Sequence, residues 1–99
     1  MEYEIHRTTK FDKGLKSVKD HKTQDRLTQR ISNMRFGHFG DHKLIDNSLF
    51  ELRFFFGSGY RVYYTIKHKQ IILLLCGGDK STQTSDITKA RQLLNQLED

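Results

Sequence analysis

Apolar and polar positions alternate most regularly between Phe50 and Lys67. In Phe50-Glu51-Leu52-Arg53-Phe54-Phe55-Phe56, an extended chain puts Leu52, Phe54 and Phe56 on one face and Glu51, Arg53 and Phe55 on the other. After Gly57-Ser58-Gly59 the run from Tyr60 to Lys67 divides the same way, with Tyr60, Val62, Tyr64 and Ile66 opposed to Arg61, Tyr63, Thr65 and Lys67. Aromatic and β-branched residues favour a pleated surface, so the pattern predicts a β-hairpin. A three-residue Gly-Ser-Gly loop pairs Phe56 with Tyr60 and Arg53 with Tyr63 and keeps both apolar sets together. A two-residue loop instead drives Arg61 in beside Phe56, so the three-residue loop is preferred. Arg53 and Arg61 then become diagonal neighbours on one face, roughly 7 to 8 Å apart.

The remaining chain reads around this hairpin. Glu2 to His6 alternates as a short first strand with Tyr3 and Ile5 inward. From Thr9 to Asp20, Phe11, Leu15 and Val18 recur at i, i+4 and i+7, the stripe of an amphipathic helix whose other face carries Lys10, Lys13, Lys16 and Lys19. A second helix follows, N-capped at Thr23, buried through Leu27, Ile31 and Met34, and closed by a left-handed Gly37. Lys43 to Ile45 forms a short strand. Ile71 to Cys76 is apolar on both faces, which predicts the middle strand of the sheet. Thr84 or Ser85 caps a last helix that buries Ile87, Ala90, Leu94 and Leu97. The expected fold is α+β, a single domain over residues 1–99. An N-terminal helix hairpin and a C-terminal helix pack on a small, mostly antiparallel sheet, and strands two to five form a basic concave face.

Charge sharpens this picture. Seventeen Lys and Arg against 12 Asp and Glu leave a net +5 over 99 residues, which favours a polyanionic partner, nucleic acid first. Cys76 is the sole cysteine, so no internal disulfide forms and a reducing cytoplasm is expected. No apolar run approaches the roughly 20 residues of a membrane span, and the N-terminus has no signal-peptide pattern, so no membrane association is expected. Two guanidiniums as close as Arg53 and Arg61 call for an anion between them; the acid Glu51 and a phosphate both fit. Gly77-Gly78 before a helix invites a phosphate loop but lacks the Gly-Lys order of one. His38, Asp41 and His42 lack helical spacing and a further ligand, so no metal and no cofactor are expected.

Several motifs together have a wider likeness. Gly-Asp-His-Lys at 40–43, Glu-Leu-Arg at 51–53, Gly-Ser-Gly-Tyr-Arg-Val-Tyr-Tyr at 57–64, and Leu-Leu-Leu-Cys-Gly-Gly-Asp-Lys-Ser-Thr-Gln at 73–83 with Asp86-Ile87 resemble the RelE/ParE toxin superfamily. More narrowly, the chain resembles its HigB-like addiction module killer branch. The resemblance implies the toxin of a type II toxin–antitoxin pair, neutralised in a hetero-oligomer by a helix-turn-helix antitoxin. It further implies a metal-independent endoribonuclease that enters the ribosome, drives a ribose 2′-hydroxyl of the mRNA onto the adjacent phosphate and so inhibits translation. Carried over, the catalytic residues are Arg61, Arg53, Lys43 and Lys80; beside that resemblance, RNA contacts are expected of Tyr63, Phe55, Gln83 and Lys67. Arginine stays protonated, so proton transfer falls to Lys80 or Lys43, while the arginines hold transition-state charge. Tyr63 and Phe55 flank the arginines and suit either stacking on an extruded base or ordinary cross-strand packing, the latter favoured for Phe55. The ParE branch implies a different target, DNA gyrase, and a third reading is a basic protein inert without its antitoxin.

Overall fold

The computed structural model describes residues 2–97. In chain order it contains β1 (Glu4–Arg7), α1 (Thr9–Lys16), α2 (His21–Met34), β2 (His42–Asp46), β3 (Leu49–Arg53), β4 (Arg61–Lys67), β5 (Ile71–Gly78) and α3 (Gln83–Leu97), the last preceded by a 3-10 turn at Lys80–Thr82. The strands form one sheet ordered β1-β5-β4-β3-β2, with β1 parallel to β5 and every other pair antiparallel. The architecture is α+β with a mixed sheet.

The central strand is therefore β4 and not the Ile71–Cys76 run. β5 is apolar on both faces because α1 packs on one side of it and α3 on the other, while β1 arrives from the far end of the chain as its parallel edge neighbour. The α1 side is the larger core, where Phe11, Leu27, Ile31 and Met34 meet Leu52, Phe54, Val62, Tyr64, Ile72 and Leu74. On the α3 side, Ala90 and Leu94 cover Leu49, Tyr63, Leu75 and Cys76. A bulge in the β4–β5 ladder turns Leu75 and Cys76 both toward α3, and this fills that thinner core.

The N-terminal helices differ from the expected hairpin. α1 lies along β5 and ends at Lys16, and α2 reaches the same core independently through Leu27, Ile31 and Met34. Thr8 fixes the start of α1: its hydroxyl accepts from the Phe11 amide at 3.0 Å and donates to the Leu75 carbonyl at 2.6 Å, tying helix to sheet. Asp20, not Thr23, is the N-cap residue of α2, and Thr23 donates its hydroxyl to the Asp20 carboxylate at 2.7 Å from inside the helix. Gly37 follows α2 with φ +83°, as its position predicts.

The hairpin register is shifted by two residues. Phe50 pairs with Tyr64, Leu52 with Val62 and Arg53 with Arg61. Residues 54–60 make a wider connection, closed by Phe54 N–H donating to the Tyr60 carbonyl at 3.0 Å, with Gly57 and Gly59 at positive φ inside it. A slip of two preserves which face each side chain takes, so Arg53 and Arg61 share a face and lie directly opposite.

Candidate functional site

Strand alternation and pairing bring charged residues together on the α3 side of the sheet. Lys43 of β2 lies opposite Glu51 of β3, Glu51 opposite Tyr63 of β4, and Arg53 opposite Arg61. The start of α3 closes over them through Gln83, whose side-chain amide donates to Glu51 Oε2 at 2.6 Å. That contact gives Gln83 a structural partner that spacing alone does not reveal.

Around Arg61 the hydrogen bonding is incomplete. Nη1 donates to the carbonyls of Gly59 at 3.1 Å and Tyr60 at 3.3 Å. Nε stands 3.9 Å from Glu51 Oε2, an ion pair too long for a hydrogen bond, with the Glu51 side chain 1% exposed and that of Arg61 12%. Among the described residues, Glu51 Oε1, Arg61 Nε and the Tyr63 hydroxyl are all buried without a hydrogen-bond partner. Three such atoms in one corner are unusual, since nearly all buried polar groups are paired. Burial, then Glu51 and Asp86, push the Tyr63 phenol far above its ordinary range, so it stays protonated.

Arg53 is held differently. Its Nε and Nη2 donate to the two Asp41 carboxylate oxygens at 3.1 Å each, a two-pronged pair that raises the arginine further above its ordinary value. Asp41 is itself fixed by Arg30. From α2, Arg30 donates to the carbonyls of Phe39 at 3.1 Å, Asp41 at 2.8 Å and Arg53, and its guanidinium stacks over Phe54 at 4.5 Å. Gly40 makes room, since a Cβ there would fall 2.9 Å from the Arg30 guanidinium. Neither Asp41 nor Arg30 stands out by spacing as part of this site; Gly40-Asp41 ahead of a strand was the available signal.

The other sequence-derived candidates divide. Lys80 shares the Arg61 corner: its amide donates to Ser58 O at 3.4 Å, and a Cβ on Gly59 would lie 3.4 Å from Lys80 Cβ and 3.6 Å from Arg61 Nη1. Lys43 is exposed on the edge strand. Lys67 sits at the opposite end of β4, about 20 Å from Arg61 by strand rise, with Nζ 3.5 Å from the Leu97 carbonyl. Tyr63 corrects the stacking expectation, because its ring is wholly buried beneath α3 and offers no face to a base. Phe55 is 81% exposed on the 54–60 connection.

Two alternative motifs also resolve into contacts. A Cβ on Gly78 would fall 1.8 Å from Asp86 Oδ2, so the space beside the double glycine is filled by a carboxylate that Thr82 binds through its hydroxyl. A phosphate has no room there. His42 Nδ1 lies 2.8 Å from the Gly40 carbonyl while Asp41 faces Arg53, so these side chains serve separate partners.

The family model of phage-derived Gp49-like proteins matches residues 15–95. A Haemophilus influenzae protein described as uncharacterized is 41% identical over 97 residues, which cover 98% of each chain. Among solved structures, a mutant of the E. coli toxin RelE in the free state matches with a TM-score of 0.74 at 17% identity, over 93% of this chain and 97% of that one. The Mycobacterium tuberculosis toxin–antitoxin complex RelBE2 contains a chain that matches with a TM-score of 0.66 at 15% identity, over 81% of this chain and 100% of that one. At such identities the structural matches establish a shared fold. Among the described residues no helix is long and apolar enough to cross a membrane.

Proposed function

Because the chain belongs to the phage-derived Gp49-like family, within the RelE-type toxin superfamily, we propose that it is the toxin of a type II toxin–antitoxin pair and a metal-independent, ribosome-dependent mRNA endonuclease of the HigB-like kind. The observation that carries this reading is the Arg61 corner. Arg61 is oriented by two carbonyls and by Glu51, yet its Nη2 makes no hydrogen bond among the described residues. That geometry supports a guanidinium held ready for a phosphate oxygen.

In this mechanism the 2′-oxygen attacks the adjacent phosphorus and the bond to the 5′-oxygen breaks, leaving a 2′,3′-cyclic phosphate and a 5′-hydroxyl. Arg61 holds the charge that builds on the nonbridging oxygens. Lys80, beside it, moves the proton from the 2′-hydroxyl or to the leaving oxygen, and Lys43 and Arg53 grip the flanking backbone. Phe55, Gln83 and Lys67 serve as outer RNA contacts. A co-encoded antitoxin with a helix-turn-helix domain covers the same basic surface, and the work takes place in the cytoplasm, where ribosomes are. The test is primer extension on a message translated in vitro with the purified protein. Codon-phased 3′ ends that vanish without ribosomes are expected; an intact message with trapped DNA gyrase would overturn the assignment in favour of a ParE-like poison.

A further inference from the structure

Charge alone does not explain the distance between Glu51 and Arg61. Both side chains are nearly buried, where opposite charges attract more strongly than at the surface, yet Oε2 and Nε stay 3.9 Å apart. The more exposed pair of Arg53 and Asp41 closes to 3.1 Å at two points. What separates the two pairs is Gln83. From the first residue of α3, its side-chain amide donates to the same Glu51 Oε2 at 2.6 Å. The turn that presents Gln83 is firmly built. Asp79 accepts from the Ser81 amide at 2.9 Å and donates its own amide to Thr82 Oγ1 at 3.2 Å, while the Thr82 hydroxyl donates to the largely buried Asp86 carboxylate. Lys80 sits in that same turn.

We propose that Gln83 is a positioning residue for the cleavage reaction: by holding the Glu51 carboxylate it prevents Glu51 from closing on Arg61, and so keeps the guanidinium free for a phosphate oxygen. The inference rests on the reading of the protein as a ribonuclease. Glu51 needs to move only about 1 Å to bring the pair to charge-assisted hydrogen-bond distance. Glu51 Oε1 and Arg61 Nε have no hydrogen-bond partner among the described residues, so the Gln83 bond is the polar contact there that opposes closure. An amide suits the task, because it occupies a carboxylate oxygen without placing a second cation beside Arg61. Since one turn carries Lys80 and leads into Gln83, its seating sets the proton-transfer group and the charge-holding group together.

The experiment introduces Gln83→Leu into the full-length, isotope-labelled protein and follows the Arg61 Nε–H by NMR. In the variant Glu51 should close on Arg61, moving that resonance downfield and slowing its exchange with water, with Tm unchanged or higher. In the translation assay kcat should fall about tenfold to 100-fold with KM little changed, as loss of a transition-state interaction does. Adding Glu51→Gln to Gln83→Leu should restore most of that loss, because a neutral amide grips a guanidinium less tightly than a carboxylate does. An Arg61 Nε–H that does not move would overturn the proposal. So would a lower Tm with kcat intact, which would make the Gln83 contact a tie between helix and sheet, or a double variant no more active than Gln83→Leu. The Nε–H resonance keeps the two ideas apart: a shifted resonance in a protein whose native form cuts no message removes only the nuclease assignment, whereas native cleavage with an unmoved resonance removes only the role of Gln83.

Discussion

Arg53 and Arg61 face each other across β3 and β4, belong to the same residue type, and each has a carboxylate nearby, yet their situations are opposite. Arg53 is gripped by both oxygens of Asp41, which Arg30 in turn locks to the sheet. Arg61 is only approached by Glu51, whose carboxylate spends its one hydrogen bond on Gln83. Proximity of opposite charge is thus not the same as satisfaction. The first corner is a finished structural joint, and the second keeps hydrogen-bonding capacity in reserve where the solvent-facing Lys80 joins it.

The comparison breaks most directly if the two arginines prove equivalent. Arg61→Gln should lower the cleavage rate by about 100-fold to 1,000-fold, the scale for losing one donor to transition-state charge, with Tm near that of the native protein. Arg53→Gln should cost less than about tenfold under the same primer-extension conditions, because Asp41 already neutralises it. A larger loss at Arg53 would reverse the assignment.

Next in size, Arg30→Ala should destabilise the fold by about 2 to 3 kcal/mol in urea unfolding, since it leaves three carbonyls without their charged donor and uncovers Phe54. A loss under about 0.5 kcal/mol would mean that Asp41 holds its place without help from α2. Asp41→Asn should cost roughly 0.5 to 1 kcal/mol, as a partly exposed ion pair does, and should tighten binding to single-stranded RNA at low salt by releasing Arg53. Unchanged salt dependence would show that Arg53 faces away from the RNA.

The smallest effect is expected at Tyr63. Its hydroxyl has no partner among the described residues, so Tyr63→Phe should be neutral or stabilising by up to about 1 kcal/mol at pH 7. The native phenol is raised above its ordinary value of 10.0 by burial, so its contribution is complete below pH 10 and is lost as pH rises beyond it. Removing the hydroxyl should therefore flatten the decline in stability above pH 10; an unchanged alkaline profile would point to Tyr64 and Cys76, which burial raises to about 12 and about 11.

Much of this was readable in the residues, for a physical reason. Side-chain alternation is local, so the shared face of Arg53 and Arg61 followed from spacing, and the apolar stripes of α1 and α2 from their periodicity. Register was less legible, because it hangs on how Phe54 to Tyr60 close, and positive φ at Gly57 and Gly59 permits more than one closure. The central position of β4 depends on β1 pairing with β5, a contact between distant segments that carries no local mark. For the same reason the Arg30–Asp41–Arg53 chain was invisible: it joins α2, a loop and β3. Tyr63 misled because an aromatic beside arginines reads alike whether it faces solvent or a covering helix.

That parallel edge strand has a bearing on how the protein is made. Sixty-seven residues separate Thr8 from the Leu75 carbonyl that anchors it, so during synthesis the first strand waits without a template until nearly the whole polypeptide has emerged. A chain cut short before the last strand would lack that anchorage and the Lys80 corner together.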